Sequence, residues 1–257
     1  MSSNSVILRT ENVGKTFGAF SALRNVSVVI PRGRLTAIIG PNGAGKSTFF
    51  NVISGALRPS EGRVFFEERE ITAAPQHALA RMGIAKSYQI TNIFPNLTVL
   101  ENVRVAAQAR VSRFQIWRSR AMLAAPLHEA EALLEFVGLT GRATFLAGSL
   151  AHGEQRALEI AIALASKPRL LLLDEPTAGM SPEETRVFME LIVKLARERT
   201  VVLVEHKMKL VMNISDHVIV LHHGEVLAEG TPDEIRANDD VKRVYLGQTQ
   251  RAGARST

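Results

Sequence analysis

Three short segments combine residue types that handle phosphate chemistry. The first is Gly40-Pro41-Asn42-Gly43-Ala44-Gly45-Lys46-Ser47-Thr48, with the spacing G-x-x-x-x-G-K-S. Glycines let a backbone curl until successive amides face one anion, and a helix opening at the end of the curl adds its positive terminus. Lys46 would reach the outer phosphates of a nucleotide, and the Ser47 hydroxyl would bind magnesium. At ordinary residue frequencies roughly one random chain in a hundred of this length would carry the pattern. The second segment is Leu170-Leu171-Leu172-Leu173-Asp174-Glu175-Pro176, an apolar run ending in two acids. A buried strand delivers such acids to the carboxyl edge of a sheet, where open α/β folds bind ligands. There Asp174 would hold magnesium, and Glu175 would orient and polarise an attacking water. The third, Leu150-Ala151-His152-Gly153-Glu154, precedes a helix expected over Gln155–Ala165 and offers a second glycine-supported helix N-terminus. One chain has no need of two such ends for one terminal phosphate, whereas a dimer with shared sites does.

The elements that must position these segments follow from hydrophobic pattern. Short strands are expected at Val6–Leu8, Val26–Ile30, Leu35–Ile39 and Val64–Phe66, punctuated by Gly33, Gly40 and Gly62. Leu35–Ile39 has the continuous apolar character of a strand buried on both faces. A helix is predicted from Gly45-Lys46 to about Ser54. From about residue 90 to 165 the chain turns rich in Ala, Leu, Glu and Arg with helical spacing, as in the stretch 129–137 stopped by Gly138. Strand patterns return at Leu170–Leu173, Thr200–Val204 and Val218–Leu221. Ser181-Pro182-Glu183-Glu184 reads as a capping box, and Thr231-Pro232-Asp233-Glu234 repeats it. Strands alternating with helices predict a parallel α/β sheet. The early strands, too close for crossover helices, predict a small antiparallel sheet beside it, and the helical middle reads as an insertion.

Composition removes other chemistries. With no cysteine in 257 residues, disulfides, thiolate metal sites and cysteine nucleophiles are excluded, which suits a reducing compartment. No run approaches the roughly 18 apolar residues of a spanning helix, and Met1–Ser5 lacks the basic and apolar regions of a secretory signal. The formal charge of +6 reads chiefly as a solubility feature.

In this order, phosphate loop, Gln89, Leu150–Glu154, Asp174-Glu175 and His206, the chain resembles the ABC-transporter ATPases over nearly its whole length. The resemblance implies a P-loop NTPase core with a parallel sheet and an antiparallel β subdomain over 1–89 and 166–247. It also implies an inserted α-helical subdomain over 90–165 and a disordered tail over 248–257. ATP and magnesium are the implied cofactors. Phe17 falls where the family stacks an aromatic on adenine. Gln89 matches the loop that senses magnesium and water and joins the helical subdomain to the core. Leu150–Glu154 matches the signature loop that contacts the facing subunit's γ-phosphate, and His206 matches the switch histidine. Ser47, Gln89 and Asp174 are thus the implied metal ligands, and Glu175, His206 and Gln89 the implied catalytic set. Two residues depart from the pattern: Ala151 stands where serine is usual, and Ser181 where aspartate is usual.

The finer likeness, in Thr91–Val99, Ala178-Gly179-Met180, Tyr245-Leu246-Gly247 and the stretch from Val105 to Pro126, is to branched-chain amino acid importers, in particular the longer of their two ATPases. Urea-importer and lipopolysaccharide-exporter ATPases are close alternatives. The implied partners are membrane permease subunits, a second ATPase subunit and, indirectly, a substrate-binding protein, with no nucleic acid. The implied station is peripheral, on the cytoplasmic face of the cell membrane. A DNA- or ribosome-directed relative is disfavoured by the single cassette and short insertion. A small-molecule kinase would leave Leu150–Glu154 and His206 without a task. Ile90, Ile93 and Phe94 read equally as a docking groove for a permease helix or as core. His222-His223 reads as hairpin-turn residues, and Trp117 within Arg113–Arg120 as a solvated helix face.

Overall fold

The computed structural model describes residues 5–87, 93–111 and 121–245. In chain order the elements are β1 (Val6–Phe17), β2 (Phe20–Val26), β3 (Val29–Pro31), β4 (Leu35–Ile39), α1 (Lys46–Ile53), β5 (Glu61–Phe66), β6 (Arg69–Glu70), α2 (Gln76–Met82) and β7 (Ile84–Ser87). They continue as α3 (Val99–Val111), α4 (Ala121–Phe136), α5 (His152–Leu164), β8 (Leu170–Asp174), α6 (Pro182–Ala196), β9 (Thr200–Val204), α7 (Met208–Ile214), β10 (His217–His222), β11 (Glu225–Gly230) and α8 (Pro232–Ala237). The chain divides into two compact units, one of residues 1–79 with 196–257, the other of residues 80–195.

In the first unit β4 lies between β10 and β9, parallel to both, and β11 returns antiparallel along β10. All five residues of β4 and all five of β9 are buried, which accounts for runs that are apolar but for Thr36 and Thr200. Beside them β2, β1, β5 and β6 form the expected antiparallel sheet, with β3 also paired to β1.

Two expectations for this region need correction. The strand expected at Val6–Leu8 runs on to Phe17, because register shifts near Val13 and Lys15 break the alternation by which a strand is recognised. The strand expected over Val26–Ile30 is two, β2 pairing Val26 with Val13 and β3 pairing Ile30 with Leu8. Between them the buried Thr10 hydroxyl donates to Val26 O at 3.0 Å and accepts from Val28 N–H at 3.1 Å. A side chain thus replaces the ladder where the chain passes from one part of β1 to another.

In the second unit β7 and β8 pair in parallel, Ser87 opposite Leu173. Helices α3, α4 and α5 pack on one another, and α5 also on β7. The helix expected from Gln155 begins three residues earlier, at His152, because the Glu154 carboxylate returns to the Ala151 N–H at 3.0 Å and supports an extra turn. The predicted cap of α6 is present: Ser181 N–H donates to Glu184 Oε2 at 2.9 Å, and Glu184 N–H to Ser181 Oγ at 3.2 Å. Thr231 and Glu234 repeat the arrangement at α8. Helix α6 buries Thr185, Phe188, Met189, Ile192 and Leu195, one stripe at helical period, and leaves Val187 exposed.

Truncating Ile38, fully buried in the central strand β4, is expected to cost about 2–5 kcal/mol, whereas Val187→Ala is expected to stay within about 0.5 kcal/mol. Urea unfolding of the two variants measures the difference.

Candidate functional site

The phosphate-type loop leaves β4 after Ile39 and closes into α1. A turn bond from Ala44 N–H to Pro41 O, 3.1 Å, curls it, and Gly45 caps the helix in the left-handed region at φ 99°. The first helical bond is Phe49 N–H to Gly45 O, 2.8 Å, so the amides preceding Phe49 sit at the helix's positive end. Lys46 is only 7% exposed, and its Nζ donates to Gly40 O at 2.8 Å and Pro41 O at 3.0 Å. Ser47, one residue on, is exposed.

Distant segments clamp this loop. Gly224 N–H, in the β10–β11 turn, donates to Ala44 O at 3.0 Å. A Cβ on Gly40 would stand 2.2 Å from Leu221 O, and one on Gly45 would stand 2.8 Å from Ala22 O. Only glycine permits either approach.

Beyond that clamp, β1 and β2 end in a tight hairpin where Phe17 pairs with Phe20, 49% and 65% exposed. Residues directly opposite each other in an antiparallel pair share a face, and Lys15 Nζ lies 5.2 Å from the Phe17 ring centre. Phe20 was not among the residues singled out by sequence, because its place beside Phe17 depends on strand register.

His206 follows β9. Ile38 of β4 pairs with Val204, so Gly40 and His206 each lie two residues beyond that pair, at the same carboxyl edge. Beneath it sits Glu205, 0% exposed, whose carboxylate accepts the His206 N–H at 3.1 Å and lies 3.8 Å from Nδ1. Sequence reasoning passed over Glu205; the available signal was an acid directly after the apolar run Val201–Val204.

The second unit carries the acids and the other glycine turn. Asp174 ends β8, and on neighbouring β7 burial pushes the Lys86 ammonium below its usual range, with the Asp174 charge opposing that shift. Glu175 has φ 43°, a left-handed conformation uncommon for a residue with a side chain. Ala178 N–H closes the turn onto Glu175 O at 3.0 Å. Gln89 lies outside the described residues.

Leu150 is buried and Ala151 caps α5 with extended backbone but no side-chain oxygen. His152 Nε2 stands 3.2 Å from Ala178 O, a carbonyl that only accepts, so this nitrogen carries the proton. Gly153 N–H donates to Glu184 Oε1 at 3.3 Å, and Glu154 also pairs with Arg142 Nε at 2.9 Å. The signature-like turn and the loop after Glu175 are therefore tied together, a contact across some thirty residues that no local pattern announces.

Among the described residues no group of three or more His, Cys, Asp or Glu could hold a metal. A hydroxyl and a carboxylate, Ser47 and Asp174, are hard oxygen donors. Each is of the donor type that magnesium prefers. Of the docking candidates, Ile90 lies outside the described residues, as does Trp117 of the expected solvated face, and Ile93 is half-buried. Phe94 is 57% exposed, so core packing does not account for it. Its backbone is held by the buried Asn102, which accepts Phe94 N–H at 2.8 Å and donates to Phe94 O at 3.1 Å.

Comparison with known proteins agrees with this arrangement. The family described as ABC transporter matches residues 23–178, and one described as branched-chain amino acid ATP-binding cassette transporter matches residues 225–249. The chain is 40% identical over 250 residues to the high-affinity branched-chain amino acid transport ATP-binding protein BraF of Pseudomonas aeruginosa, covering 94% of this chain and 98% of that one. It is similar to the ADP conformation of MJ1267, an ATP-binding cassette of an ABC transporter, with TM-score 0.82, 34% identity and coverage of 94% and 99%. It is also similar to the dimeric structure of MJ0796, a bacterial ABC transporter cassette, with TM-score 0.74, 29% identity and coverage of 88% and 99%.

Replacing Gly40 by alanine is expected to displace the loop, since the new Cβ meets the Leu221 carbonyl. Overpacking of this kind costs about 1–3 kcal/mol. Affinity for a fluorescent ATP analogue is expected to fall about tenfold or more, as measured by titration of the purified chain.

Proposed function

The chain belongs to the ABC transporter family as an ATPase, and from that premise we propose that it is the ATP-hydrolysing subunit of an importer of branched-chain amino acids. The observation that carries the cargo class is the match to relatives such as BraF along 94% of the chain, supported by the further match at residues 225–249.

In this reading Lys46 and the opening amides of α1 hold the outer phosphates of ATP, and Phe17 stacks on the base. Ser47 and Asp174, with Gln89, hold magnesium, which when bound neutralises charge developing on the transferring phosphoryl group. Glu175 orients and polarises the attacking water. His206, steadied by Glu205, positions water and γ-phosphate. These residues act by placement and charge neutralisation, which is most of what phosphoryl transfer to water requires.

The signature turn, Leu150–Glu154, serves the nucleotide of a facing ATPase subunit. Two helix N-termini per chain, α1 and α5, are what a head-to-tail dimer uses to hold two nucleotides, and MJ0796 provides a dimeric relative. Because ATP contacts both subunits it favours the closed dimer, and its hydrolysis releases that dimer. We assign the second subunit to a related ATPase chain. Among the described residues no helix is long and apolar enough to cross a membrane. The chain works peripherally, on the cytoplasmic face, against permease subunits that receive the exposed Phe94 and select the solute.

Glu175→Gln is expected to lower ATP turnover by roughly 10²–10⁴-fold, the contribution of a positioned general base, while ATP binding and ATP-driven dimerisation persist. Near-normal hydrolysis in that variant would overturn the assignment. Lys46→Ala is expected to weaken nucleotide binding itself by about 10–100-fold, the worth of a charged hydrogen bond; equilibrium binding distinguishes the two effects.

A further inference from the structure

The signature turn already has an anion at its helix terminus. Gly153, the second residue of α5, donates its amide to Glu184 Oε1 at 3.3 Å, while Glu184 Oε2 accepts the Ser181 amide at 2.9 Å. One carboxylate therefore caps two helices, its own α6 and the neighbouring α5. The need for it comes from Ala151: an N-cap side chain ordinarily supplies the oxygen for an amide at the second or third position, and a methyl has none. The approach is close, since a Cβ on Gly153 would stand 3.2 Å from Glu184 Oε1.

Of the neighbouring acids, Glu154 also caps α5, through the Ala151 N–H at 3.0 Å, but both it and Glu183 are neutralised by arginines. Glu154 is paired with Arg142, and Glu183 with Arg186 at 2.6 Å. The Glu184 carboxylate accepts from the amides of Gly153 and Ser181, neither of them charged, so its negative charge remains at the start of α5. Hydrogen bonds from Ser181, then the Gly153 amide, hold its carboxyl below the usual carboxylate range and keep it ionised.

We infer that Glu184 is a resident anion at the signature turn, and that the γ-phosphate of the nucleotide on the facing subunit must displace it from the Gly153 amide before the dimer closes. The inference rests on the sandwiched-nucleotide reading above and adds a positioning residue to it. Two anions at one helix end repel, so Glu184 raises the ATP concentration needed for closure. Its departure also loosens the start of α6 and, through the turn that joins Ala178 N–H to Glu175 O, reaches the backbone of Glu175. His152 Nε2, bonded to Ala178 O, is the second tie along the same route. Arrival of a phosphate at one site is in this way felt at the water-polarising acid that serves the other.

The test uses the full chain copurified with its ATPase partner, in the Glu175→Gln background so that ATP persists, with dimer closure followed by light scattering during MgATP titration. Glu184→Gln is expected to lower the half-saturating ATP concentration about two- to fivefold, the worth of one anion at a helix N-terminus. Glu184→Ala, which removes the charge and adds no donor, shifts it in the same direction. Ser181→Ala disrupts the α6 cap but keeps the anion, and is expected not to lower the ATP requirement. An unchanged or raised requirement in both Glu184 variants overturns the inference, as does a Ser181→Ala shift equal to theirs. If the Glu175→Gln parent itself fails to close with ATP, the sandwich reading falls first and this inference with it.

Discussion

A lysine ammonium almost removed from water has to be matched by oxygen, and at Lys46 the matching oxygens belong to the loop that carries it. The carbonyls of Gly40 and Pro41 accept from Nζ, so the charge and the curl hold each other in place. The loop so braced leads directly into the positive end of α1. The surrounding unit serves to keep that loop from relaxing. Strand β4, buried along its whole length, fixes the point where the loop begins. Helix α1 fixes where it ends, and the carbonyls of Leu221 and Ala22 press on it at positions where no side chain fits.

The second unit solves a different problem, that of aiming a carboxylate. Glu175 adopts a left-handed backbone, a strain of about 1–3 kcal/mol that persists only where neighbours over-determine the conformation. The Ala178 turn and the His152 contact supply that support. The same contacts join the acid's loop and the start of α6 to the turn that opens α5, so the two glycine-bearing turns of this unit brace each other.

Much of this was legible in one dimension because the relevant physics is local. The phosphate loop, the apolar run ending in Asp174-Glu175 and the caps at Ser181 and Thr231 are each decided within a few residues, and each appears where spacing placed it. Strands β4 and β9 matched to the residue because burial on both faces leaves a nearly continuous apolar signature. The misses share the opposite cause. Strand β1 hid behind bulges, and the division of β2 from β3 depends on one buried threonine hydroxyl. Helix α5 was begun three residues late because its first turn draws on Glu154, and the tie from Gly153 to Glu184 spans the interval between two elements. Phe20 and Glu205 acquire meaning only from register and burial.

The segment that presents Phe94 is held by the Asn102 amide together with backbone bonds from Leu97 N–H to Phe94 O, Ala147 N–H to Leu97 O and Gly148 N–H to Pro95 O. Asn102 accepts the Phe94 N–H and donates to the carbonyls of Phe94 and Thr98, and Thr98 in turn exchanges hydrogen bonds with Glu101 at the start of α3. An aromatic side chain is thereby displayed to solvent on a backbone that has little conformational freedom left to lose. A membrane partner that seats a helix against it meets a preformed knob, and the entropic penalty of ordering a contact loop on association is largely absent. In the proposed assembly, stiffness at that knob would pass a shift of α3 to the partner as displacement instead of absorbing it in a yielding loop.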